Sequence, residues 1–194
     1  MSFKILGVGS SMRQGSFSTS ALKFTLDFAK KDGIETHLLD LQKTPLPMFY
    51  SEKNETKEIS LIKDRVKWAD AFILATPDYH GSMSGSMKNF LDYFWSDFAG
   101  KLFGYICASH EKGLTVMDQM RTAVRQCYGW SMPYGVSING ENDFKNGLIK
   151  NPQIQTRLTI LSRDLSVYGK LIRNQFLQDV ENNVSDTFAF HYKK

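Results

Sequence analysis

Along most of this chain, apolar runs of strand length alternate with stretches whose apolar residues recur every three or four positions. That alternation predicts a parallel sheet with helices on both faces, an α/β architecture. The first run, Phe3 to Val8, suits a buried strand, and a helix over roughly 19–31 follows with Ala21, Leu22, Thr25, Phe28 and Ala29 as its inward stripe. A second strand spans residues 34–41. The proline-bearing loop from Thr44 to Tyr50 then leads to a helix over roughly 55–68 that buries Ile59, Ile62 and Val66. The third strand, Ala71 to Thr76, is expected to stop at Pro77. A helix over 84–98, a fourth strand over 102–108, a helix over 114–127 and a fifth strand over 132–138 come next. From Pro152, a residue suited to a helix start, the positions Ile154, Leu158, Leu161, Leu165, Tyr168 and Ile172 repeat at alternating spacings of four and three. Residues beyond Asn182 are expected to be loose or to dock on a partner. Without internal repeats or linker-like stretches, residues 1–194 read as one domain.

Five strands joined in this way suit a flavodoxin-like three-layer sandwich whose five-stranded parallel sheet has the order 2-1-3-4-5. Ligands of such sheets sit outside the carboxyl ends of the strands, so the loops after strands one, three and four are expected to share one crevice. The first of these, Gly9 to Thr19, is rich in small residues and hydroxyls and carries Arg13; Ser18, Thr19 and Ser20 offer capping hydroxyls to the helix. Unpaired N–H groups and the positive end of the helix dipole make such a loop a phosphate cradle, with Arg13 adding a bidentate grip. No Gly-Lys-Ser/Thr ending follows, and Met12 stands where a dinucleotide fingerprint needs its third glycine, so the loop suits a lone terminal phosphate. The second loop, Pro77 to Asn89, combines glycines and hydroxyls with Tyr79; its backbone can approach a flat ring closely and read the ring's edge.

Composition narrows the partners. The 24 Lys and Arg against 20 Asp and Glu give a net charge of +4, but the cations are scattered, which argues against nucleic acid. Met1 to Lys4 lacks the basic start of a secretory leader and no apolar run reaches membrane-spanning length. Cys107 and Cys127 lie in apolar contexts typical of free thiols, so the cytoplasm is the expected location. His37 and His191 have no metal-ligand companions, and no metal is expected.

Two segments at this separation, Ser11 to Ser18 and Pro77 to Ser82, with Lys88-Asn89-Phe90-Leu91-Asp92 downstream and Pro45-Leu46-Pro47 after strand two, resemble the NADPH-dependent FMN reductase family. That family includes azo-, quinone- and chromate-reducing members. The similarity runs from about residue 3 to residue 140. It implies that Ser11, Arg13, Ser16, Ser18 and Thr19 hold the FMN phosphate and that Pro77, Asp78, Tyr79, His80 and Gly81 lie along the isoalloxazine. The third loop, which the strand order brings to the same crevice, adds Ser109, His110 and Lys112 as expected cofactor contacts. The chain departs from the family in having Ser10-Ser11 for Gly-Ser, Asp78 and His80 where Glu and Asn are commoner, and Ser109 to Gly113 where glycines prevail.

The activity implied is that of an FMN-dependent NAD(P)H oxidoreductase. Hydride passes from NADPH or NADH to the flavin N5 and electrons then pass to a quinone, azo, nitro, metal or flavin acceptor in a ping-pong cycle that needs no catalytic side chain. Lys112, or the helix start after Gly113, is expected near the flavin N1. Alternatives are an electron carrier or a non-catalytic flavin-binding module. On a helical wheel Met83, Phe90, Leu91, Phe94, Trp95 and Phe98 cover an arc of roughly 140°, wider than one core contact needs, which suggests a homodimer or homotetramer.

Overall fold

The computed structural model describes residues 2–50 and 56–192. Strand β1 (Lys4–Gly9) leads to helix α1 (Phe17–Lys31), and β2 (Glu35–Asp40) to α2 (Lys57–Trp68). Strand β3 (Ala71–Tyr79) turns back through the short β4 (Ser82–Met83) before α3 (Gly85–Asp92). Next come β5 (Leu102–Ala108), α4 (Leu114–Gln126), β6 (Trp130–Ser131) and β7 (Val136–Ile138). One helical turn, α5 (Gly140–Asp143), and a hairpin of β8 (Phe144–Lys145) and β9 (Leu148–Ile149) precede the long α6 (Pro152–Glu181).

The sheet has seven strands in the order β2-β1-β3-β5-β6, with β4 on β3 and β7 on β5. The principal strands thus follow the expected flavodoxin-like order. The fifth position differs: β6 and β7 both pair with β5 in parallel, and residues 133–135 between them leave the sheet, after Met132 has donated its N–H to the Phe103 carbonyl. Pro133 falls in this gap, where it has no N–H to give a ladder.

Period-two alternation sorts the strand residues into two cores. Leu6, Val8, Phe72, Leu74 and Phe103 face α2, α3 and α4, with the Phe72 and Phe103 rings stacked at 4.6 Å. Ile5, Ile73 and Ile106 face α1 and α6, meeting Leu22, Leu161 and Leu165. In α2, Ile59, Ile62 and Val66 are buried as expected; Glu55, placed at that helix's start, lies outside the described residues.

Several boundaries correct the reading from periodicity. Helix α1 begins at Phe17 because Ser16, rather than a hydroxyl at 18–20, is its cap, and Leu26 takes the inward place given to Phe28. Strand β3 runs past Pro77, which stands opposite Ala108 at the last parallel pair, and Asp78–Tyr79 then pair with β4. In α6, Tyr168 is exposed, and the inward row continues through Ser162, Ser166 and Gly169.

The expected helix over 84–98 ends at Asp92, where i→i−3 bonds at Tyr93 and Phe94 tighten the turn and Trp95 takes a non-helical backbone. The broad apolar arc is therefore not one helix face. Met83, Phe90, Leu91, Phe94 and Phe98 are all buried inside the chain itself, and Trp95 alone of the six is exposed. The tail also docks on its own chain: Ala189 is fully buried, Phe188 packs on Phe176 at 5.6 Å, and Tyr192 meets Tyr128 at 5.4 Å.

Candidate functional site

Strands β1, β3 and β5 are neighbours in parallel register, so the chain leaves all three at the same edge of the sheet. Their loops enclose a crevice of about 680 Å³, within the range of roughly 300–1,000 Å³ that small-molecule and cofactor sites occupy.

Ser11, Arg13 and Ser16 line one part of this crevice. Ser16 caps α1, its Oγ accepting from the Thr19 N–H, while Ser11 Oγ accepts from the Arg13 N–H at 3.3 Å. Gln42 Nε2 donates to the Met12 carbonyl at 2.9 Å and ties the loop to the turn after β2. The N–H groups of Phe17 and Ser18 stand in the first helical turn, where no intrahelical acceptor exists. No described residue bonds the Arg13 guanidinium, so its donors are available at the rim. A cation, open amide groups and a helix N-terminus in one loop fit a phosphate.

Pro77, Asp78, Tyr79, His80 and Gly81 line a second part. Tyr79 opposes Ser82 across a two-residue turn in which His80 and Gly81 have φ of 57° and 75°. Positive φ at both central residues defines a type I′ turn, the favoured link in a tight hairpin. Asp78 fixes this turn to its surroundings: Oδ1 accepts from the Gly81 N–H and Oδ2 from Ser109 Oγ, each at 2.8 Å. From α4, Gln119 Oε1 accepts from Ser82 Oγ and the Met83 N–H, and its Nε2 donates to the Gly81 carbonyl. Tyr79 is 48% exposed, so it offers a ring surface rather than a core contact.

Ser109 and His110 close the third part. The structure therefore brings together ten residues singled out from the sequence and leaves out three. Ser18 and Thr19 are buried within α1, the Ser18 hydroxyl lying 2.9 Å from Ser16 Oγ. Lys112 lines the neighbouring cavity instead.

Other parts of the site were not foreseen. Beneath the crevice, Ser84 Oγ donates to Ser10, Ser86 Oγ donates to the Ser10 carbonyl at 2.6 Å, and the Ser84 N–H donates to Thr76 Oγ1. This hydroxyl cluster binds the bases of the first two loops through the start of α3. Gly140 and Glu141 form a further wall, held against α1 where Phe17 meets Phe144 at 4.9 Å. Their position just past a strand's carboxyl end was the one available signal. Cys107, below the third loop, is fully buried, which pushes its thiol pKa up to about 12. Both cysteines are free, and among the described residues no three His, Cys, Asp or Glu gather as metal ligands. No described helix is long and apolar enough to cross a membrane.

The chain is similar to known flavin-dependent proteins in sequence and in fold. An NADPH azoreductase from Bacillus sp. (strain OY1-2) is 30% identical over 147 residues, covering 72% of this chain and 83% of that protein. An FMN-dependent NADPH-azoreductase of Staphylococcus aureus is 31% identical over 142 residues, 66% of this chain and 73% of that one. Among solved structures, the flavoenzyme NAD(P)H:acceptor oxidoreductase FerB from Paracoccus denitrificans superposes with a TM-score of 0.73 at 16% identity, covering 87% of this chain and 98% of that one. A flavodoxin from the domain Archaea gives 0.60 at 13% identity, covering 87% and 99%. These likenesses establish the flavodoxin-like fold. The family model described as NADPH-dependent FMN reductase matches residues 3–143, and the chain belongs to that family.

Proposed function

We propose that this protein is an FMN-dependent NAD(P)H oxidoreductase that reduces small-molecule acceptors such as azo compounds, quinones or free flavin. One observation carries the reading: Arg13 and Tyr79, far apart in sequence, line the same hollow at the carboxyl edge of the sheet. Bound FMN supplies hydride acceptance from a nicotinamide and electron return to a second substrate.

The chain's own residues do the rest. Arg13 and the open amides of α1 hold the phosphate, with the dipole adding about 0.3–1 kcal/mol. Because micromolar affinity needs roughly 8 kcal/mol and a charge-assisted bond gives about 1.5–3, contacts to the ring must contribute as well. The hairpin backbone, locked by Asp78 and Gln119, supplies a rigid edge for that ring. Tyr79 flanks it, and the open mouth lets donor and acceptor use one space in turn.

The test is the absorbance spectrum of the purified protein followed by anaerobic addition of NADPH or NADH. A yellow protein that bleaches within seconds is the expected result. A yellow protein inert to both donors would instead identify a carrier or sensor, and a protein that takes up no FMN would refute the reading.

We also propose self-association, as a homodimer or homotetramer. The apolar arc as a whole no longer supports it, since the fold buries five of its six residues. Met48, Tyr50 and Trp95 do, each more than two-thirds exposed. They lie beside α3, where Asn89 Oδ1 accepts from the Phe49 N–H and the Tyr93 hydroxyl donates to the Pro47 carbonyl. Light scattering at micromolar concentration tests this. The free thiols fit work in the cytoplasm.

A further inference from the structure

Ser109 and His110 line two spaces at once. On one side is the crevice; on the other is a second cavity of about 500 Å³. Its remaining walls come from Lys112 and α4, from the 133–135 gap between β6 and β7, from Ser137, Asn139 and Asp143 along β7 and α5, and from the first turns of α6, so it owes nothing to the loops after β1 and β3.

Three cations line this cavity: Lys112, Arg121 and Arg157. Lys112 has a left-handed backbone with φ of 66°, and no described residue pairs with its ammonium group. Arg121 sits over the Tyr105 ring at 5.3 Å while its Nη1 contacts the exposed Asp118 at 2.7 Å. Arg157 donates from Nη2 to the Gly135 carbonyl at 3.2 Å. A guanidinium carries five N–H donors, so both arginines keep most of theirs for a ligand.

Asp143 is the one carboxylate among the lining residues, and its oxygens are already engaged. Oδ2 accepts from the Asn139 N–H and Oδ1 from Asn151 Nδ2, each at 2.7 Å. The space is therefore rich in unspent donors and poor in free acceptors, the complement of a phosphate. Since it meets the crevice along a shared wall, a molecule reacting in one can anchor its far end in the other. A dinucleotide has that two-ended form; a quinone or a free flavin ring does not.

We propose that this second cavity receives the adenosine 2′-phosphate of the nicotinamide donor, so that Lys112, Arg121 and Arg157 set a preference for NADPH over NADH. The proposal rests on the crevice being the flavin site. Its test uses the FMN-loaded protein and the double variant Lys112→Asn/Arg157→Gln, in which asparagine tolerates the left-handed backbone.

The variant is expected to lose at least tenfold in kcat/KM with NADPH, through KM, and less than twofold with NADH. Competitive inhibition by 2′,5′-ADP should weaken by a similar factor while inhibition by 5′-AMP stays unchanged. Equal losses for both donors, or an unaltered response to NADPH and 2′,5′-ADP, would overturn the assignment. So would a loss confined to sulfonated azo acceptors, which would give the cavity to the acceptor. FMN affinity, followed by flavin fluorescence, should be the same in variant and wild type. If the wild type binds no FMN, the flavin reading fails by itself, and calorimetric titration with 2′,5′-ADP still judges the cavity.

Discussion

The loops after β1 and β5 begin at the same edge of the sheet and each delivers the chain into a helix, yet they finish that helix in opposite ways. Ser16 caps α1 with its own hydroxyl, and its neighbours are small and polar. Helix α4 has no side-chain cap; Lys112 and Gly113 turn sharply through φ of 66° and 56°, with Gly113 pressed against the buried Cys107. The first loop is complete as a polar cradle. The second is a tight corner, and its lysine lines the adjacent cavity rather than the crevice. A similar place in the topology thus yields a hydroxyl-capped polar loop in one case and a charged flank in the other, and the difference lies in the cap and in a lysine, rather than glycine alone, taking the left-handed backbone.

Both loops contain a left-handed glycine, which makes the contrast testable. A methyl group on Gly113 would meet Cys107 Sγ at 2.4 Å, whereas one on Gly15, with φ of 65°, meets nothing within 4 Å. Gly113→Ala adds overpacking to backbone strain and should cost about 2–4 kcal/mol, lowering the melting temperature by roughly 5–15 °C in calorimetry. Arg13→Ala should weaken FMN binding by about 1.5–3 kcal/mol, more than tenfold by fluorescence titration, and leave riboflavin affinity nearly unchanged. Gly15→Ala carries strain alone and should cost about 1 kcal/mol in urea denaturation. If Gly15 and Gly113 prove equally sensitive, the contrast between the loops fails.

The subtlest readout is a slope. Burial raises the Cys107 thiol from 9.0 to about 12, so the folded protein keeps a proton that the unfolded chain releases. That contribution to stability is complete below about pH 9 and is lost as pH rises toward 12. Denaturation midpoints should fall over this window, and Cys107→Ala should flatten the fall; an unchanged slope would remove burial of this thiol from the account.

How much could be read from the chain varied with how local the cause was. Phe3 to Val8 and Ala71 to Thr76 declare themselves because a buried parallel strand needs continuous apolar residues, and Ser11, Arg13 and Ser16 because a phosphate loop needs small residues next to a helix start. The hairpin beyond Pro77 was hidden: its turn depends on His80 adopting positive φ, which asparagine would have signalled and histidine does not. The wheel over 84–98 misled because it assumes an unbroken helix, and the helix ends at Asp92. Lys112 lines the second cavity from a left-handed backbone, and the role of Gln119 comes from contact across two elements. Neither leaves a mark in the order of residues.

The Ser10, Thr76 and Ser84 bonds lie in the floor, and all three side chains are buried. The bonds that join the first two loops therefore lie one layer beneath the exposed lining of the crevice. The Glu111 and Glu141 side chains at the mouth take no part in that foundation, so replacing either leaves it intact, whereas His80 holds a left-handed turn. A scaffold so divided lets its rim change by substitution at such positions while the buried floor stays as it is.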